Sequence, residues 1–166
     1  FISLKATYDV GNNRFYCLII HNYENVITKL WKAGELPIKN ALYFSDGRAE
    51  LIDIISYPTP KVSKSGCFDF CEFYEENKNE VTTVDVIKKI NLSCGGYLCL
   101  GEGSYGSEGF IAYLDREEKL VWVVYSENSN PFVSATILHD STVAIDSSAG
   151  FRLKVNVLKP EEMVIV

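Results

Sequence analysis

The sequence predicts an α+β fold: mostly antiparallel β-sheets, about eleven short strands, with two helices. Three observations carry this reading. Short segments of strand character alternate with turns rich in Gly, Asn, Asp and Pro, two stretches have helical periodicity, and each helix follows a group of strands instead of separating every pair. Tight turns between consecutive strands favour antiparallel neighbours. The order strand, strand, helix, then strand, strand, strand, helix, strand points to a loose internal duplication, with no residue-level repeat behind it.

Ile2 to Tyr8 and Phe15 to Ile20 flank Gly11-Asn12-Asn13 and read as a hairpin. Asn22 is the expected cap of a helix whose apolar face is Val26, Ile27, Leu30 and Trp31, and Gly34 and Pro37 supply its stop. Ala41 to Phe44 and Ala49 to Tyr57 form a second hairpin around Ser45-Asp46-Gly47, ended by Pro58-Thr59-Pro60. Lys61 to Gly66 then reads as a polar loop. In Cys67 to Tyr74, Phe68 and Phe70 alternate with Cys67, Asp69 and Cys71, the pattern of a strand with one buried side, and Glu75 to Glu80 is its exposed tail. Thr82 or Thr83 caps the second expected helix, with Val84, Ile87 and Ile90 on one stripe, Asp85 near its positive end and Lys88 and Lys89 late in it. The remainder reads as a meander of Tyr97 to Leu100, Gly109 to Leu114, Lys119 to Ser126, Phe132 to Leu138, Thr142 to Ile145 and Phe151 to Val157.

No Pro/Gly/Ser-rich linker divides the chain, so residues 1–166 are expected to form one domain. Of the 166 residues 47% are apolar and 23% charged, the balance of a chain that buries a core. The 16 Lys and Arg against 22 Asp and Glu leave a net charge of −6, which gives no grip on a phosphate backbone and favours a basic partner. No run approaches the ~20 apolar residues of a membrane span, and no basic n-region followed by an apolar stretch marks a signal peptide. Five cysteines, Cys17, Cys67, Cys71, Cys94 and Cys99, sit among bulky apolar neighbours and read as thiols in a reducing compartment, so a cytoplasmic location is expected. Exposed edge strands are expected in such a fold, and pattern alone assigns no oligomeric state.

The residues that could carry chemistry are few. Cys67-x3-Cys71 and Cys94-x4-Cys99 lack the tight knuckles of structural zinc, and no metal or cofactor is expected. His139-Asp140-Ser141 holds triad residue types, but adjacent residues in a turn do not form a triad, so no enzymatic activity is expected. Gly101-Glu102-Gly103-Ser104-Tyr105-Gly106 matches a nucleotide-loop spacing, yet more strand follows it, with no helix to receive a phosphate. It reads as a flexible loop, and a small-molecule or peptide-binding role for Gly101 to Gly109, with Tyr105, is the alternative function. Asp69, Glu72, Glu75 and Glu76 concentrate negative charge beside Phe73 and Tyr74, a combination suited to docking a basic protein through aromatic anchors.

The segment Glu118-Lys119-Leu120-Val121-Trp122-Val123-Val124-Tyr125-Ser126-Glu127-Asn128-Ser129-Asn130-Pro131-Phe132 resembles the hairpin and SNPF stretch of small bacterial immunity proteins. These accompany polymorphic toxins, including those of contact-dependent growth inhibition systems. The resemblance implies a non-enzymatic inhibitor that covers the active site or substrate groove of a cognate toxin domain, often a nuclease. It transfers no interface residue, so the expected interface, Asp69, Glu72, Phe73, Tyr74, Glu75 and Glu76, rests on charge alone.

Overall fold

The computed structural model describes residues 6–8, 16–18 and 25–166. In chain order these form β1 (Ala6–Tyr8), β2 (Tyr16–Leu18), α1 (Val26–Lys32), β3 (Glu35–Pro37), β4 (Ala41–Phe44), β5 (Ala49–Ile55), β6 (Lys61–Cys67) and α2 (Phe70–Glu76). There follow β7 (Val81–Thr83), β8 (Asp85–Asn91), β9 (Tyr97–Glu102), β10 (Gly109–Leu114), β11 (Leu120–Ser126), β12 (Phe132–His139), β13 (Thr142–Ser147), β14 (Arg152–Asn156) and β15 (Lys159–Ile165). All strand pairings are antiparallel, so the α+β, mainly antiparallel class holds.

Alternation along the strands sorts apolar side chains to the two faces of a seven-stranded sheet of order β6-β5-β4-β11-β10-β9-β8. One face carries Leu42, Ile54, Leu98, Leu100, Ile111, Trp122 and Val124, packed on Phe132, Val143, Ile145, Leu153, Val155 and Met163 of the four-stranded sheet β12-β13-β14-β15. Trp122 ties the layers together, its indole N–H donating to the Val157 carbonyl at 2.8 Å. The opposite face, with Tyr43, Phe110, Val123 and Tyr125, is covered by Ile27 and Leu30 of α1, Leu36 of the β3-β7 ribbon and Phe70 of α2. Trp31 of α1 meets Phe110 edge to face at 5.6 Å. Three layers and two cores result.

Several elements differ from expectation. Lys61 to Gly66, expected as a loop, is most of β6, an edge strand exposed along much of its length and therefore without alternation. The strand expected over Cys67 to Tyr74 ends at Cys67, and α2 follows it, because Phe70, Phe73 and Tyr74 also have helical spacing and Asp69 caps them. Thr82 to Ile90 is not a helix but the end of β7 and most of β8, the latter paired with β9. Val81, Thr82, Thr83, Val84, Val86, Ile87 and Ile90 are β-branched, and this propensity prevails over the helical spacing. The order nevertheless stays close to the expected one, two strands and a helix, then β3 to β6 and a helix, then strands, with α2 standing in place of the expected second helix. The N-cap of α1 is Asn25, whose Oδ1 accepts the Ile27 N–H at 3.0 Å. Asn22, the expected cap, His21 and the Gly11-Asn12-Asn13 turn lie outside the described residues. The first hairpin is present as β1 paired with β2. Neither β3 nor β15 was expected, yet β3 is a short ribbon strand holding Pro37 and β15 an edge strand holding Pro160, positions where proline is tolerated. Among the described residues no helix is long and apolar enough to cross a membrane.

Candidate protein-binding surface

Helix α2 divides the residues expected at the interface. Asp69 accepts the Glu72 N–H at 3.0 Å through Oδ1, which makes it the N-cap of the helix. Phe70, Phe73 and Tyr74 recur at i, i+3 and i+4 and turn toward the sheet. Phe70 is buried, its ring 4.9 Å from that of Tyr43, while Phe73 and Tyr74 are half-buried against the same core. The aromatic side chains expected as free anchors are therefore largely committed to holding α2 down. Glu72, Glu75 and Glu76 occupy the opposite, exposed side. Glu75 forms an exposed ion pair with Lys78 at 3.0 Å, and the last turn of α2 contains no basic residue. Acidic residues stand where the helix dipole favours cations.

Beside α2 lies an open groove of about 360 Å³ that sequence reasoning did not identify. Leu51 and Ile52 contribute apolar lining, Phe73 joins from α2, and Asp53, Glu80 and Glu127 add carboxylates. Lys39 places its Nζ 4.8 Å from the Phe73 ring centroid and 5.4 Å from that of Phe68. Asn40 donates from Nδ2 to Asp53 Oδ1 at 3.3 Å and accepts the Glu127 N–H on Oδ1 at 2.7 Å, linking strand β5 to the end of β11. Below, the Tyr43 hydroxyl donates to the Lys39 carbonyl at 2.7 Å. Burial, and next the charge of Glu127, push the Tyr43 phenol well above its usual range. The groove draws residues from six separate stretches of chain, a convergence that local patterns do not encode.

The Gly101 to Gly109 segment is tied down instead of free. Glu108 is 2% exposed and its carboxylate accepts the Tyr125 hydroxyl, the Thr82 hydroxyl at 3.2 Å and the Tyr105 N–H at 2.8 Å. The Thr82 hydroxyl also receives the Ser104 N–H at 3.1 Å. Gly103 faces this carboxylate so closely that a Cβ there would lie 2.1 Å from Glu108 Oε2. Tyr105 stands outside the clamp, 66% exposed.

The remaining constellations are dispersed. His139 ends β12, Asp140 turns with φ of 42°, and Ser141 donates to Asn156 Oδ1 at 2.9 Å, the geometry of a hairpin. Cys67 ends β6, Cys71 lies in α2, Cys94 in the turn after β8 and Cys99 in β9, where burial raises its thiol pKa. Among the described residues no three His, Cys, Asp or Glu side chains gather as metal ligands. In the SNPF stretch, Asn130 adopts φ of 60° and donates its N–H to the Ser107 carbonyl at 2.8 Å, and Phe132 is fully buried. That stretch is the corner at which the chain leaves one sheet for the other. Comparison of the chain with protein-family models, curated proteins and solved structures found no match.

Proposed function

We propose that this chain is a non-enzymatic immunity protein that binds and neutralises a cognate bacterial toxin domain, a basic nuclease, by covering its active site or substrate groove. The protected compartment is the cytoplasm of the cell that makes it. The observation that carries the reading is the outer side of α2, where Glu72, Glu75 and Glu76 are exposed while the aromatic residues between them hold the helix on the sheet. A nuclease needs a basic groove for nucleic acid, and a rigid row of carboxylates presents the charge that such a groove attracts. The likeness of residues 118–132 to immunity proteins supports the same reading.

The test is co-expression with the gene immediately upstream, capture on a tag, and washing at rising salt, with bound protein identified by mass spectrometry. A basic partner retained near stoichiometrically, and lost as salt rises, is expected. The triple substitution Glu72→Lys, Glu75→Lys, Glu76→Lys is expected to weaken binding by about tenfold or more while leaving the fold intact, because these side chains are exposed. Asp69 is left unchanged, since reversing it would remove the cap. Full binding and inhibition by the triple variant would rule this surface out.

A further inference from the structure

Resting on the reading of α2 as the partner-facing element, we infer that the groove beside it is a receptor pocket for an arginine side chain of the partner protein. Its lining is amphipathic in the manner a long cationic side chain requires: Leu51 and Phe73 for the methylene stem, and Asp53, Glu80 and Glu127 for the head. Three carboxylates against the Lys39 ammonium leave a formal lining charge of −2. Among the described residues none of the three carboxylates is in an ion pair, and Lys39 turns to the rings of Phe68 and Phe73. The groove wall thus already accepts a cation, while the carboxylates opposite have none. Asn40 holds the Asp53 side chain at 3.3 Å and the Glu127 backbone at 2.7 Å, so part of the ordering is in place before a ligand arrives. A guanidinium suits this better than an ammonium, because its planar fork satisfies two carboxylate oxygens at once and it is more weakly hydrated.

The probe is acetyl-arginine methylamide, titrated into the isolated chain and followed by amide NMR shifts, with the citrulline analogue as the uncharged isostere. Saturable shifts confined to residues around Asn40, Asp53, Phe73 and Glu127 are expected, with dissociation in the millimolar range. The citrulline compound is expected to produce none of them. The double substitution Asp53→Asn, Glu127→Gln, which preserves size and hydrogen-bonding capacity, is expected to weaken the arginine compound by about tenfold. No saturable shift, equal shifts with citrulline, or binding unchanged in the double variant would overturn the inference. Failure here with the partner still dependent on Glu72, Glu75 and Glu76 removes the pocket alone. Capture of no basic partner removes the α2 reading on which the pocket depends.

Discussion

At the scale of single residues, Glu108 shows how one side chain can organise a loop. A carboxylate this deeply buried is costly unless hydrogen bonds replace its lost water, and here a tyrosine, a threonine and a backbone amide do so. The consequence is a fixed turn between β9 and β10. The sequence made the turn legible through its glycines, but not its clamp, because a glutamate in a Gly/Ser-rich stretch is ordinarily solvated. Only the fold brings Tyr125 and Thr82, 17 and 26 residues away, to the same carboxylate. Tyr125→Phe removes one donor without removing the ring, and is expected to destabilise the protein by about 2 kcal/mol, the usual penalty for a hydrogen bond to a buried charge. Urea unfolding measures this; a loss below ~0.5 kcal/mol would mean that water reaches Glu108 and satisfies it.

At the scale of elements, the most instructive differences are α2 and β8. Phe68 and Phe70 fit a strand, whereas Phe70, Phe73 and Tyr74 fit a helix, so local pattern alone admits both. Asp69 decides for the helix by capping it, and that cap was legible as an acidic residue at the right place before the aromatic stripe. In β8 the β-branched residues carried the signal, and the regular spacing of Val84, Ile87 and Ile90 masked it. The acidic outer side of α2 was legible as composition, but the inward turn of Phe73 and Tyr74 required the helix. Two substitutions test this account of α2. Asp69→Ala is expected to cost about 1 kcal/mol through loss of the cap. Glu76→Lys, in the last turn, is expected to stabilise by ~0.3–1 kcal/mol as a cation replaces an anion at the negative end of the dipole. If thermal unfolding showed Glu76→Lys to be destabilising, Glu76 would have a structural role beyond the exposed position it occupies. If it is stabilising and also weakens partner capture, the natural glutamate is retained for binding at the expense of stability.

At the scale of the whole molecule, alternation along the strands established the antiparallel class, but the assignment of strands to sheets depends on corners. The SNPF stretch carries the chain from β11 in the seven-stranded sheet to β12 in the four-stranded one, a change of layer that strand periodicity does not signal. The resulting layers are well satisfied: among the described residues every buried side-chain nitrogen and oxygen has a hydrogen-bond partner. Tyr43 and Tyr125 lie in the layer beneath the helices, and both phenols are raised above the usual tyrosine range, first by burial, with Glu127 adding to the first and the Glu108 hydrogen bond to the second. An unfolded tyrosine ionises near pH ~10. The folded state therefore keeps protons that the unfolded state gives up, so this contribution to stability is complete below pH ~10 and falls as pH rises above it. These two are expected to ionise only when the layers separate. In an alkaline titration followed together by tyrosinate absorbance and near-ultraviolet circular dichroism, the last part of the absorbance rise should coincide with loss of the dichroism signal. A Tyr43→Phe, Tyr125→Phe double variant that still folds should lack that final rise. Complete tyrosinate absorbance with the dichroism intact would show that water enters the layer under α1 and α2 without unfolding, and that the helices are held more loosely than their packing on Tyr43 and Phe110 implies.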